Sequence, residues 1–392
     1  MKFRITPIDG GICAVEGIYA GAVKAGFKKD DYDVGFIRSD EPLDIAYLFT
    51  TNKFQAAPIK YVKRKEIKKS NFILANSKNA NAMTGEEGIK DIEEILEYLS
   101  SRTTLTNPVM SSTGVIGVRL DKEKIKAAID KFDLNERNSN KFAKAIMTTD
   151  SFEKEIAFEV EGEFGKFRIG GVAKGAGMIN PAMATMLCFI TTDADIPKEE
   201  MSEILKDNNE VTFNAISVDG DTSTNDSVFL MTTRKGAYEK EAFKEALKQV
   251  MIKLALDIVK DGEGATKAVA FVVTGAKNKK EAKIAAKALT NSLLVKTALF
   301  GEDPNWGRIA STIGASGVEC DENKLKIAFE NIVVYDKGKI IFDEETEKKA
   351  HEVMKKREFK IYVDIGMGEG AFTAYGCDLS YDYVKINAEY RT

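Results

Sequence analysis

Apolar and polar positions along the chain follow two periods, one near two and one near three and a half. Over residues 1–75 short apolar runs are broken by turns. The stretch IDGGICAVEGIYAGAVKAG, with its five glycines, predicts strands and tight loops rather than helix. Beyond it the period lengthens. Ile89, Ile92, Ile95 and Leu96 fall on one face of a helix predicted over 88–101, and amphipathic helices are expected over 121–132 and 140–147. EIAFEVEGEFGKFRIGG then alternates as a hairpin does. A helix is predicted over 197–208, then a strand, a turn and a second strand over 214–230. The longest helix is expected over 240–260, with Phe243, Leu247, Val250 and Leu254 in one stripe. Residues 268–275 read as a buried strand. A helix over 278–292 has Asn278 as its N-cap and Glu281 three residues on. TALFGEDPNWGRI reads as a turn burying Trp306, and 325–380 as strands around a helix near 343–356.

Composition narrows the class. A chain of 392 residues can bury a sizeable core and is expected to form two domains. With 44% hydrophobic and 30% charged residues it reads as soluble and globular. A net charge of -4 gives no basic field for nucleic acid. No apolar run approaches the ~20 residues of a membrane span, and the start lacks the apolar core of a signal peptide. Cys13, Cys188, Cys320 and Cys377 are far apart, which suggests neither zinc nor a disulfide framework and fits a reducing cytoplasm. The single histidine, His351, sits in the charged pattern EKKAHEVMKK of a surface helix. Acyl-transfer chemistry here therefore needs a base other than histidine.

The candidate chemistry centres on residues 173–195, AKGAGMINPAMATMLCFITTDAD. A polar run, Lys174-Gly175-Ala176-Gly177, leads to Pro181, and Thr185 stands where a small-residue loop meets the apolar run 186–190. Thr185 has two readings, an ordinary strand-entry residue or a nucleophile. A threonine hydroxyl can be activated by its own α-amine, which requires the Ala184–Thr185 bond to break first. That amine would have a pKa of about 8, suited to accepting a proton near neutrality. Three other motifs fail in detail. Lys174 and its glycines lack the G-x-x-x-x-G-K-[ST] spacing of a phosphate loop. The acidic loop 219–226 lacks the glycine and glutamate of a calcium loop. Gly366–Ala371 follows a strand but precedes another strand, which argues against a dinucleotide site.

KGAGMINPAMATML resembles the self-cleavage segment of the ornithine acetyltransferase family, also called glutamate N-acetyltransferase, and the likeness recurs along almost the whole chain. That family moves acetyl from N-acetylornithine to glutamate in arginine biosynthesis. The resemblance implies cleavage at Ala184–Thr185 into pieces 1–184 and 185–392, with Thr185 as nucleophile and carrier of the acetyl group. The Thr113-Gly114 pair reads by itself as a hairpin turn or as two donors aimed at one point; the family assigns it to the oxyanion hole. Thr148, Lys174, Glu263, Asn387 and Thr392 are implied to bind substrate, Lys174 at the α-carboxylate. The asparagine-rich stretch 76–85 and SVDGDTSTND also resemble family segments near the site.

The expected architecture is α/β, with layered sheets flanked by helices in a terminal-nucleophile-like sandwich. A larger domain over 1–275 carries the cleavage site, and a smaller α/β domain follows over 276–392. The resemblance implies a cytoplasmic enzyme, a heterotetramer of two α and two β chains, with small-molecule substrates and no nucleic-acid or membrane partner. No metal or organic cofactor is expected, acetyl-CoA entering only as a further acetyl donor in some members. Two rival readings stand beside it: a terminal-threonine amidase or aminopeptidase, and a non-enzymatic binding module with an uncut chain.

Overall fold

The computed structural model describes residues 2–180 and 186–389. In chain order its strands are β1 (Phe3–Ile8), β2 (Ile18–Val23), β3 (Val34–Phe49), β4 (Lys69–Asn76), β5 (Val109–Ser112), β6 (Lys154–Gly162), β7 (Gly165–Lys174), β8 (Leu187–Ala194), β9 (Ile216–Ser217), β10 (Ser227–Gly236), β11 (Ala268–Ala276), β12 (Lys326–Phe329), β13 (Ile332–Asp336), β14 (Lys339–Ile340), β15 (Glu358–Asp364) and β16 (Gly370–Cys377). The α-helices are α1 (Ala57–Arg64), α2 (Gly85–Ser100), α3 (Lys122–Ile129), α4 (Ser139–Ile146), α5 (Lys198–Val211), α6 (Lys240–Lys260), α7 (Lys279–Asn291), α8 (Leu293–Phe300), α9 (Trp306–Ala315), α10 (Glu344–Met354) and α11 (Tyr381–Glu389).

Two mixed sheets organise the chain. The first runs β1-β6-β7-β8-β10-β3-β4-β5, with β2 also on β3; the second runs β14-β13-β12-β15-β11-β16-β9. The strand after Thr185 shows why the first sheet is buried on both faces. In β8, Leu187 and Phe189 enter the core beneath α1–α4, while Cys188 and Ile190 enter the core beneath α5 and α6. Side chains alternate along a strand, so a continuous apolar run serves two cores at once. The second sheet packs α7–α10 onto one face through residues such as Phe271, Leu289, Ile313 and Ile361. The architecture is thus α/β, two sheets flanked by helices.

The expected helices appear with shifted ends, and 240–260 is found unchanged. Asn278 caps α7, its side chain accepting from the Glu281 N–H. Other expectations are corrected. α1 interrupts the strand-rich start, where Pro58 near the helix N-terminus is the signal the glycine pattern overrode. The two strands of 214–230 belong to different sheets. Trp306 opens α9 rather than lying buried in a turn, and it stacks on Tyr335 at 5.2 Å. Lys174 completes β7 and is buried, where carboxylate and hydroxyl partners meet it. The chain's end forms α11, which carries Asn387.

Phe189 lies wholly buried, its ring stacked on Phe229 at 5.6 Å and edge-on to Phe142 at 5.3 Å. Phe189→Ala removes ring contacts in a core that collapses only in part, so it should cost about 3–5 kcal/mol. Urea unfolding monitored by circular dichroism measures this, and a loss under about 1 kcal/mol would contradict the packing.

Candidate active site

β7, β8 and β10 meet in one row. Lys174 pairs with Leu187, and Leu187 pairs in turn with Ser227. Beyond this row opens a cavity of about 200 Å³ whose lining includes Thr113, Gly114, Thr148, Lys174, Glu263 and Asn387. Six of the residues assigned by resemblance thus come together from five separate stretches of chain. Thr185, Ala184 and Thr392 lie outside the described residues.

The turn after β5 is built by asparagines. Asn76 accepts from the Ser112 hydroxyl at 2.7 Å and donates to the Asn79 carbonyl at 2.9 Å. Asn225 donates to the carbonyls of Ala80 and Ser112 at 2.6 and 2.8 Å. These bonds fix Thr113 and Gly114 against the backbone of Lys78 and Asn79. Gly114 has φ +131, and a Cβ there would sit 2.3 Å from the Lys78 carbonyl carbon. Only glycine fits. Among the described residues the Gly114 N–H meets no acceptor, and it stands beside the Thr113 hydroxyl at the cavity wall.

Lys174 supplies the cavity's buried cation. Its ammonium donates to the Thr148 hydroxyl at 2.7 Å, reaches the Thr113 hydroxyl at 3.5 Å, and lies 3.9 Å from Asp150. Burial pulls this ammonium below the usual lysine range, and the Asp150 carboxylate opposes the shift. Burial would also raise Asp150, but Lys174, Lys154 and the Thr148 N–H outweigh it and hold that carboxyl well below its usual value.

Glu263 faces the cavity from the loop after α6. Its N–H donates to the Ala176 carbonyl at 2.9 Å, and its carboxylate accepts from the Asn387 amide at 2.7 Å. Gly177 makes room for it, since a Cβ there would lie 2.4 Å from the carboxylate atoms. Asn387 comes from α11, anchored by Tyr383, whose hydroxyl reaches Asp219 at 3.3 Å. Asp219 also accepts from the N–H groups of Met178 and Ile179 at 2.6 and 2.8 Å. It thereby holds the chain as it approaches residue 181.

Sequence reading missed Asp150 and Lys154, and it placed SVDGDTSTND near the site without singling out Asp219, Asn225 or Asp226. Asp226 closes SVDGDTSTND and is level with Met186 across the parallel pair β8–β10. Burial raises its carboxyl well above the usual range, and the Met186 N–H, the Thr50 hydroxyl and Lys174 draw it back only in part. One of its oxygens has no hydrogen-bond partner among the described residues. The signal was available: an acidic residue amid loop formers, directly before an apolar strand. Among the described residues no cysteine lines the cavity. Burial pushes Cys13 up to about 12 and raises Cys188 and Cys377 as well. Among the described residues no group of histidine, cysteine and carboxylate side chains could hold a metal, and no helix is long and apolar enough to cross a membrane.

Fold and cavity place a buried ammonium, a carboxylate and the Thr113-Gly114 turn around one small cavity of an α/β protein. The profile of the ArgJ family matches residues 19–392. The "Arginine biosynthesis bifunctional protein ArgJ" of Wolinella succinogenes is 60% identical, with all of both chains covered. The "Glutamate N-acetyltransferase" of Methanocaldococcus jannaschii is 47% identical over 98% of this chain and 99% of that one. A crystal structure of the bifunctional protein argJ from Bacillus halodurans is 40% identical, covering 52% of this chain and 98% of that chain at a TM-score of 0.48. The chain belongs to the ArgJ family and is an acyltransferase of arginine biosynthesis.

Two outcomes follow from this geometry. Gly114→Ala should lower kcat about a hundredfold if the turn holds an oxyanion, because the added Cβ forces the N–H aside; steady-state kinetics at saturating substrate reads it. Asp226 has a folded-state pKa raised above its unfolded value. Its contribution to stability is therefore complete below pH ~3.9 and declines as pH rises toward the folded value, by at most about 1.4 kcal/mol per pH unit. Asp226→Asn should flatten that decline in a series of denaturant midpoints from pH 4 upward, and an unaltered slope would assign it elsewhere.

Proposed function

We propose that the chain transfers acetyl from N-acetylornithine to glutamate through an acetyl group carried on Thr185, after cutting itself between Ala184 and Thr185. The observation that carries this reading is the cavity itself, which gathers a buried ammonium, a carboxylate and a donor pair in about 200 Å³. The Thr185 hydroxyl attacks the acetyl carbonyl while the freed α-amine of the same residue takes the proton. The Thr113 hydroxyl and the Gly114 N–H hold the oxyanion. Ornithine leaves, glutamate enters, and its amine takes the acetyl group.

Lys174 and Thr148 bind the α-carboxylate of either amino acid. Glu263 attracts the side-chain ammonium of ornithine, an ion pair that is strong because the cavity is sheltered. The Asn387 amide gives the side-chain carboxylate of glutamate a donor that Glu263 alone does not offer. Thr392 is the remaining substrate-binding residue in this reading. Holding both amino acids in register favours transfer over attack by water. No metal or organic cofactor takes part. The pieces 1–184 and 185–392 stay together as α and β chains, paired into a heterotetramer in the cytoplasm.

A second donor is favoured by one observation: the Wolinella relative, at 60% identity, is named bifunctional. Acetyl-CoA would then acetylate Thr185 directly, and incubation of acetyl-CoA with glutamate, followed by chromatography for N-acetylglutamate, tests it.

Wild-type enzyme should run as two bands on a denaturing gel and release ornithine from N-acetylornithine at a rate that depends on glutamate. Thr185→Ala should run as one band and lose transfer by at least about 10⁴-fold. Ornithine release indifferent to glutamate would favour a hydrolase, and a single wild-type band would favour the uncut binding module.

A further inference from the structure

Behind the cavity wall lies a buried charge cluster that the reaction does not touch. Lys154, at the start of β6, is wholly buried. Its ammonium lies 2.9 Å from Asp150 and 2.6 Å from Asp261, and donates to the Phe152 carbonyl at 3.2 Å. Asp150 uses both oxygens: one accepts from the Gly175 N–H at 2.6 Å, the other from the Thr148 N–H at 3.0 Å, with Lys174 3.9 Å away. Asp261 accepts from the Ser151 N–H at 3.0 Å and from the Ser151 hydroxyl. Asp150 stands two residues after Thr148, and Asp261 two residues before Glu263. One ammonium thus grips the supports of both ends of the cavity, although none of the three residues is among those that line it.

We propose that Asp150 is the positioning residue that keeps Lys174 charged and aimed at the substrate carboxylate, and that Lys154, by holding Asp150 and Asp261 together, sets the span between Lys174 and Glu263. The inference rests on the acetyl-transfer reading of the cavity and adds what fixes its length and charge. The groups facing Lys174 are Asp150, Lys154, Glu263 and Asp226, and Asp150 is also faced by Lys28. Removing the Asp150 charge leaves Lys174 and Lys154 as adjacent buried cations with one fewer counter-charge. The ammonium of Lys174 then gives up its proton more readily. A carboxylate substrate meets a neutral amine, and binding suffers before chemistry does. A change at Lys154 acts on the span, so it alters which side-chain length fits best.

The test uses full-length Asp150→Asn, Asp150→Glu and Lys154→Arg, with kcat and KM for N-acetylornithine measured from pH 6 to 10. For Asp150→Asn, KM should rise at least about tenfold with kcat within about threefold, the pattern of lost uniform binding. The basic limb of its kcat/KM profile should move to lower pH. Asp150→Glu, which keeps the charge, should return that limb toward the wild-type pH. Lys154→Arg should lower the preference for N-acetylornithine over Nα-acetyl-lysine, one methylene longer, by at least about fivefold, within what one methylene is worth. A soluble Asp150→Asn with wild-type KM and an unmoved limb overturns the proposal. Should that variant not fold, an unchanged substrate preference in Lys154→Arg overturns it instead. Wild-type enzyme that fails to transfer acetyl at all sinks the reading of the cavity, a result distinct from either.

Discussion

Two lysines and two aspartates share the interior where β6, β7 and the end of α6 converge, directly behind the cavity. Burying an ion costs several kcal/mol unless charge and hydrogen bonds compensate. Here every member has its compensation. Lys154 has two carboxylates and a carbonyl, Asp150 has two N–H groups and two ammonium groups, and Asp261 has the Ser151 N–H and hydroxyl. Lys174 is the member that also faces the cavity. Behind it stands Asp150, which does not line the cavity, and a site's geometry is only as good as its supports.

The same logic runs through the neutral parts of the site. Asparagines at 76 and 225 hold the turn of Thr113 and Gly114 by backbone bonds, and the missing side chain of Gly114 lets that turn lie directly on residues 78 and 79. Asp219 performs a similar task for Met178 and Ile179 while receiving the Tyr383 hydroxyl from α11. Strands β7, β8 and β10 fix one wall, and loops from four other regions are tied to it by amide and carboxylate bonds. Rigid elements carry the cation, and bonded loops carry the acid and the donors.

Much of this was legible in the sequence, for identifiable reasons. Long periodic stretches such as 240–260 and 278–292 declare helices because one face must be apolar and the cap must be polar. Thr113, Gly114, Thr148, Lys174, Glu263 and Asn387 could be named from motif resemblance and do gather at one cavity. What stayed hidden is the network behind them. Asp150 and Lys154 are four residues apart and look like an exposed pair, yet both are buried, and their third partner lies more than a hundred residues away. Periodicity carries no information about such a partner. Helix α11 escaped notice because its nine residues have no apolar stripe and no buried member, being held by Tyr383 and Asn387 instead.

Family membership shows an acyltransferase of arginine biosynthesis, and the cavity supports the proposal that one hydroxyl hands the acyl group between two amino acids. The most direct measurement is the intact mass of the enzyme after exposure to N-acetylornithine without glutamate. The account predicts two pieces, with the piece beginning at Thr185 heavier by one acetyl group and returning to its original mass once glutamate is added. A single species of 392 residues, or an acetyl group that never resides on that piece, would contradict it.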